Sequence, residues 1–568
     1  MSNKKFLFLF LFLFLLLSCQ KQSISAPLKT VQNPSNFQES DQFYLEQKVY
    51  QVVDNVYIAI GYGLANSILI VGDQGNIVID TTESPETAQE IFREFQEISD
   101  QPILGIIYTH SHVDHWRGSP SFINENTKIY AHQTFEKGFT DQNNLIRPIL
   151  TQRGMKQFGF YLPPELQNGH GLGSTLQWSF DQSPVVYPTD FFVGKKNTIT
   201  IAGITLEVQH APGETDDQIL IYYPDKKLLI AGDNYYMRFP NLYTIRGSNY
   251  RDTKKWYQSV DKMRAYQADY LLSCHGPYLS NKEEIDRRLT VYRDAIQYIH
   301  DYVIRGINQG MTPDELVSNF IYPDFFDNQF DLEEKYGKVS WSIRNVFNGY
   351  LGFFDGKAVN LEPLSHLERS QNLIEMLGGK EQLIFQIDQA MEENNYQWAA
   401  ELSDIGFSVF PQDPLIVNRY IQSLETLGSL EENPIARNYY FSEALELRNG
   451  KTFEDYLISP TDANSVPLQA FFDSMPTRLN IEKAKGEFLR VGFNFPDTQE
   501  QYGVIIRNQI AEITNSFSED YDVIVTVDSN VWKSILLKTK DGKQALRNGE
   551  MILSGNLLWF AKFSSLFE

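Results

Sequence analysis

The sequence predicts an α/β layered body, followed by a helical segment and a small α+β segment. Three observations carry this. From Val49 to about residue 280, short Val/Ile/Leu runs bounded by Gly, Asp or Pro recur: NSILIV, NIVIDT, ILGIIYT, ITLEVQ, QILIYY and KLLIAGD. Such runs read as buried strands, and amphipathic stretches such as SPETAQEIFREFQEI alternate with them, the texture of layered α/β domains. Past residue 281 the apolar period changes to three and four, and past about residue 455 strand-like runs return.

Residues 1–19 stand outside that fold. Lys4 and Lys5 precede an unbroken apolar run from Phe6 to Leu17, which ends in Leu-Leu-Ser-Cys. Twelve residues are too few for a bilayer span of about 20, and the charge pattern is that of an export signal. The ending resembles a bacterial lipobox, which implies a lipidated Cys19 as the mature N-terminus. Residues 20–45 are Ser/Pro/Asn/Gln-rich and read as a flexible tether. The expected address is therefore exported and membrane-anchored, in the periplasm or elsewhere in the cell envelope.

The formal net charge is −23, which argues against nucleic acid as a partner. Any anionic substrate has to be drawn in by local arginines. Cys19 and Cys274 are the two cysteines; with Cys19 lipidated, no intrachain disulfide remains and stability rests on burial.

In the helical segment Ile285, Leu289, Tyr292, Ile296, Ile299, Val303 and Ile307 share one face. Asn281 and Glu284 form a capping pair at its start and Gly310 follows its end. Thr312, Pro313 and Glu315 mark a second start. About four more helices between Gly379 and Gly450, joined by ENN, FPQD and EENP, predict stacked hairpins. In the last segment FLRVGFNF, YGVIIRN and DVIVTVD read as strands, SNVWKSILLK as a helix opened by Ser529, and EMILSG and LLWFAKF as apolar segments. That segment holds no histidine, so metal chemistry is not expected there. The expected division is 46–280, 281–452 and 453–568.

The chemistry is concentrated in THSHVDHWRG. His110, His112, Asp114 and His115 lie within six residues, three of the chain's nine histidines. A surface loop has no reason to collect them. The strand ILGIIYT delivers them at its C-terminal end, where open α/β sheets hold ligands. One tetrahedral ion cannot easily use all four, so two adjacent ions are the simpler geometry, and imidazole with carboxylate suits zinc.

This H-x-H-x-D-H string resembles the metallo-β-lactamase superfamily, which implies an αββα sandwich. The rest of that pattern follows in order: Asp80 in NIVIDT, Glu214 in HAPGETDD where histidine is usual, Asp233 in LLIAGD and His275 in LLSCHGP. The resemblance implies one zinc on His110, His112 and Glu214, another on Asp114, His115 and His275, and Asp233 bridging. His210 is the rival for the role of Glu214. Cys274 reads as a small buried residue, and His132, His170, His300 and His366 as structural or surface residues.

Two arginines, Arg246 and Arg251, lie a short loop past Asp233 in NLYTIRGSNYRD. A guanidinium there can fork onto a tetrahedral anion. This stretch, the glutamate after Pro-Gly, YLGFFDGKAVNLEPL and ALELRNG are similar to the alkyl sulfatases of that superfamily. The family implies a helical dimerisation segment making a homodimer, and a sterol-carrier-like C-terminal domain with an apolar groove. It also implies an amphiphilic sulfate ester as substrate, held by Arg246 and Arg251 with Thr175 as a further contact. Zinc-activated water or hydroxide would cleave the C–O bond and release sulfate and an alcohol. The chain departs from the family at Asp233, where glutamate is common, and in lacking a residue between Gly213 and Glu214. Two other readings stay open: a hydrolase of another ester, lactone or thioester, and a lipid-binding lipoprotein with a vestigial zinc site.

Overall fold

The computed structural model describes residues 46–140, 146–167, 169–173, 186–450, 467–536 and 538–567. The expected signal, lipobox Cys19, tether and Thr175 lie outside those residues.

Two sheets face each other. The first has seven strands in sequential order: β1 (Lys48–Val53), β2 (Val56–Ile60), β3 (Ser67–Gly72), β4 (Gly75–Ile79), β5 (Ile103–Ile107), β6 (Lys128–His132) and β7 (Asp190–Phe192). It is antiparallel from β1 to β4 and parallel from β4 to β7. The second has the order β12-β11-β10-β9-β8, built from β8 (Lys196–Ile201), β9 (Ile204–His210), β10 (Ile219–Tyr223), β11 (Leu228–Ile230) and β12 (Tyr270–Leu272).

Strand periodicity sorts the side chains into three cores. Ile58, Ile68, Ile77 and Ile107 meet Leu206, Ile221 and Ile230 between the sheets. Their neighbours Ala59, Leu69, Val78 and Ile106 point outward and pack beneath the helix Pro85–Ile98 through Ile91 and Phe95. Leu220, Leu229 and Leu271 point out of the other sheet, under the helices Thr253–Ala265 and Lys282–Asn308. The result is the expected αββα sandwich, in an α/β chain with a helical region and an α+β unit behind it.

The 27-residue helix Lys282–Asn308 buries Ile285, Leu289, Tyr292, Ile296, Ile299 and Val303, and Asn281 accepts from the Glu284 backbone N–H at 2.9 Å. Glu284 does not return a bond to its cap; its carboxylate pairs with Arg287 and Arg288 instead. One core runs from Ala211 through this helix to Phe347 in the helix Val339–Leu351. Burial is thus continuous across residue 281. Thr312 and Glu315 form a reciprocal capping box. The helices Lys380–Glu392, Tyr396–Val409, Pro414–Leu430 and Pro434–Asn449 follow as antiparallel neighbours with the expected turns between them.

The last unit is a five-stranded sheet, order β15-β14-β13-β16-β17: β13 (Leu489–Phe495), β14 (Glu500–Arg507), β15 (Ile510–Thr514), β16 (Val523–Val527) and β17 (Met551–Gly555). Ser529 is the first helical residue rather than a cap. Its N–H and hydroxyl both donate to the Asp497 carboxylate, which caps that helix from a distant turn. LLWFAKF forms the helix Leu557–Ser565.

Candidate metal centre

β5 ends at Ile107 and hands the chain to Tyr108–His112 and then to the one-turn helix Val113–Trp116, which carries Asp114 and His115. β4 ends beside it at Ile79, and Asp80 follows. Asp80 and Thr82 are non-glycine residues at φ 53 and 62, strained conformations that cluster at functional sites. β11 and β12 are parallel neighbours and deliver Asp233 and His275 side by side. Between them Gly232 takes φ 58, and a Cβ there would lie 1.7 Å from Gln218 Nε2. Only glycine fits.

His115 Nε2, His275 Nε2 and His110 Nε2 lie 3.3, 3.1 and 3.6 Å from one atom, Asp233 Oδ2. Asp114 Oδ2 is 3.5 Å from both His115 Nε2 and His275 Nε2. His112 enters through Nδ1, 2.9 Å from His110 Nε2 and 4.0 Å from Glu214 Oε1. All seven predicted ligands are brought together. They include two sets of convergent donors able to hold a metal ion, His110/His112/Asp233 and Asp114/His115/His275.

The outer hydrogen bonds set the ring tautomers. His275 Nδ1 lies 2.8 Å from the Leu64 carbonyl, which only accepts, so Nδ1 carries the proton and Nε2 keeps its lone pair. His115 Nδ1 donates likewise to Asp80 Oδ2 at 2.7 Å. The Thr109 hydroxyl donates to Asp80 Oδ2 at 2.7 Å, which leaves it to accept from His110 Nδ1 at 3.0 Å. In the neutral rings three Nε2 lone pairs therefore face the carboxylates. Inside the site His115 Nε2, Glu214 Oε2 and Asp233 Oδ1 are buried with no hydrogen-bond partner among the described residues. With the rings neutral, lone pairs and carboxylate oxygens turn on one another, an arrangement that fits a cation.

The same electrostatics move the proton affinities. Burial lowers His110 to about 3 and holds His112 well below its ordinary value, the neighbouring histidines adding to it. For His115 and His275 burial is outweighed by Asp233 and Asp114, which raise His115 well above the ordinary range and His275 to about 9. Burial opposes Asp233's ionisation, yet His275, His115 and His110 hold it well below the usual carboxylate range. A metal would take the place of protons here.

The arginines divide. Arg251 is buried and donates from Nη1 to Glu214 Oε1 and to the Asn241 carbonyl, each at 2.6 Å. The Arg246 guanidinium makes one long bond among the described residues, from Nη1 to the Gly247 carbonyl at 3.5 Å. Burial and Arg251 lower its proton affinity. His210 stays out of the site: Nε2 meets the Asp216 carbonyl at 2.7 Å and its ring stacks on His132 at 3.8 Å. Cys274 is buried, with Sγ 3.1 Å from Asp80 Oδ2. Asp80, His115 and Cys274 also form a convergent group, but Asp80 already accepts from Thr109 N–H, Thr109 Oγ1 and His115.

A metallo-beta-lactamase superfamily model matches residues 60–275, an alkyl sulfatase dimerisation model 312–450, and an alkyl sulfatase C-terminal model 457–568. The linear primary-alkylsulfatase of Pseudomonas sp. (strain ATCC 19151) is 33% identical over 519 residues, covering 88% of this chain and 98% of that protein. The chain belongs to the alkyl sulfatase family. It is a sulfuric ester hydrolase of the metallo-β-lactamase superfamily. The (R)-specific secondary-alkylsulfatase of Pseudomonas sp. is 27% identical, over 92% of this chain and 80% of that one. The solved structure of the stereoselective inverting sec-alkylsulfatase Pisa1 from Pseudomonas sp. superposes with a TM-score of 0.87 at 26% identity, covering 92% of this alkyl sulfatase and 84% of that chain.

Two residues of this site carry no motif. Asn234 donates to the Ala211 carbonyl at 2.6 Å and accepts from the Glu214 N–H at 3.2 Å, tying the Pro-Gly turn to the Asp233 turn. Gln157 supports the Arg246 main chain from a different helix. Their signal lies in tertiary contact, which the sequence does not display.

Proposed function

We propose that this protein hydrolyses alkyl sulfate esters to an alcohol and inorganic sulfate at a dinuclear zinc centre. The observation that carries the reading is the convergence of His110, His115 and His275 on Asp233 Oδ2, with the Arg251–Glu214 pair on its rim. His110, His112 and Glu214 would hold one ion, Asp114, His115 and His275 the other, with Asp233 between them. Bound zinc lowers the pKa of coordinated water towards neutrality.

The protein's own residues supply the rest. Asp80 and the Leu64 carbonyl hold His115 and His275 in the tautomers that ligation needs. Arg246 has guanidinium N–H groups to spare among its described contacts, and it is the natural donor to a sulfate oxygen. Arg251 opposes the protonation that burial favours at Glu214 and offers its remaining N–H groups beside it, with Thr175, outside the described residues, as a further contact. Attack at sulfur would expel an alkoxide, a strong base that needs a general acid. The histidines near the arginines are committed to the centre or bonded elsewhere. Attack at carbon expels sulfate, whose growing charge two guanidiniums stabilise. Carbon–oxygen cleavage is therefore the proposed route.

Assembly and address belong to the same reading. Leu351, Phe353, Val359, Leu361, Leu364 and Met376 leave apolar side chains in solvent between residues 351 and 376, inside the dimerisation match, Phe353 at 90% exposure; a homodimer would cover them. The C-terminal unit would guide the alkyl chain, and a lipid on Cys19 would hold the enzyme at a membrane.

The test is sulfate release from a medium-chain alkyl sulfate in 18O-labelled water. Label in the alcohol is expected. Label confined to sulfate would overturn C–O cleavage, and turnover of simple esters without sulfate release would favour the general-hydrolase reading.

A further inference from the structure

Arg246 is held from behind. Its guanidinium has one long hydrogen bond among the described residues, so its direction follows from its main chain and from the surface its stem lies on. Both come from the helix Arg147–Gln157. Gln157 is fully buried, and its Oε1 accepts from the Arg246 N–H and from the Thr244 hydroxyl, each at 3.0 Å. Arg153 Nη2 donates to the Ile245 carbonyl at 2.6 Å. Three successive residues, 244 to 246, are thus bonded to one helix. The Arg246 stem passes over Gly154, with Cδ 3.9 Å from where a Cβ would stand.

That helix is in turn fastened to the helical region. Asn438 Nδ2 donates to the Gln157 carbonyl at 3.1 Å, and Lys156 pairs with Glu443 and Glu446 at 2.8 and 2.7 Å. All three partners lie on the helix Pro434–Asn449. A continuous set of bonds therefore runs from the dimerisation match to the arginine beside the metal centre.

We propose that Gln157 is a positioning residue for Arg246, and that the helix Pro434–Asn449 braces it. Two acceptances on one buried oxygen restrain the main chain at residue 246, and a guanidinium at the end of a long side chain magnifies any backbone rotation. Removing the oxygen leaves the Arg246 N–H and the Thr244 hydroxyl without their acceptor. The loop then moves and the guanidinium loses its aim. The inference rests on the reading that Arg246 holds the sulfate group.

The experiment compares Gln157→Ala, Gln157→Glu, Arg246→Ala and the double variant Gln157→Ala/Arg246→Ala. It measures KM and kcat for a medium-chain alkyl sulfate and the inhibition constant of inorganic sulfate, with zinc content and thermal unfolding alongside. Gln157→Ala is expected to raise KM and the sulfate inhibition constant about tenfold at unchanged zinc content. Gln157→Glu keeps an acceptor oxygen and should restore most of the loss. In the Arg246→Ala background the Gln157→Ala change should add less than about twofold. A full additive loss in that background, or unchanged sulfate inhibition in Gln157→Ala, would overturn the inference. Should Gln157→Ala not fold, Thr244→Val removes the other donor on the same oxygen, and unchanged sulfate inhibition there would overturn it equally. If Arg246→Ala itself leaves sulfate inhibition unaltered, the sulfate-holding role of Arg246 falls first, which separates the two failures.

Discussion

Arg251 Nη1 lies 2.6 Å from Glu214 Oε1, and both side chains are about 3% exposed. Burial pushes Glu214 up to about 7, with Arg251 opposing it. Breaking a buried pair by removing one partner costs about 3–5 kcal/mol, because the survivor keeps its desolvation penalty. Arg251→Ala should therefore lower the unfolding temperature most in chelator-treated protein and less with zinc present, since an ion would neutralise Glu214. Equal losses in both conditions would show that no cation reaches Glu214.

Glu214 and His210 compete for one role on sequence grounds, and their surroundings separate them. Glu214→Ala should cost one of about two zinc ions per chain by elemental analysis, while His210→Ala, bonded to Asp216 and stacked on His132, keeps both. The reverse pattern would move the ligand to His210. A single tightly held ion in excess zinc would end the dinuclear reading.

Asp80 touches no proposed ion but orients His115 and, through Thr109, His110. Asp80→Asn replaces an acceptor with a donor facing Thr109 and disturbs both tautomers. Loss of this kind of outer partner typically costs about 10–100-fold in metal affinity. Zinc competition against a chelator should show that loss, and unchanged affinity would reduce Asp80 to a structural residue.

Asp217, bonded to Ser111 between His110 and His112, offers a pH signature from a carboxyl that is not itself a proposed ligand. Burial raises it to about 7, the Ser111 hydroxyl donates to its Oδ1 at 3.0 Å, and its Oδ2 has no hydrogen-bond partner among the described residues. Its folded value thus stands above its unfolded value, so its contribution to stability is full below about pH 4 and is lost as pH rises through about 7. Asp217→Asn does not titrate. The stability of the variant relative to the native protein should therefore rise between pH 4 and 8, by an amount on the order of a few kcal/mol. A difference that stays flat across that window would mean the carboxyl is ionised throughout.

Much of the fold was legible because its signals are local. Alternation in strands, three-and-four spacing in Lys282–Asn308, the Thr312–Glu315 capping box and the turns before Tyr396, Pro414 and Pro434 are properties of short windows. The division at residue 281 was drawn from a change in period, yet the core beneath it is shared, because the face of that helix belongs to the sheet before it. Ser529 has the composition of a cap, but Asp497, thirty-two residues earlier, takes the bond.

The sequence by itself determined the donor types. Three histidines and an aspartate in six residues, with Glu214, Asp233 and His275 at strand ends, specify a centre able to hold metal ions wherever the chain brings them together. Tertiary structure alone decided the rest. It made Asp233 Oδ2 the meeting point of three rings, chose Arg251 for Glu214, left Arg246 to other partners, and set Gln157 and Asn438 behind it. The physical reason is range: ligand chemistry is written in residue identity, whereas tautomer, charge pairing and aim depend on atoms a few ångströms apart in space and as many as 281 residues apart in the chain.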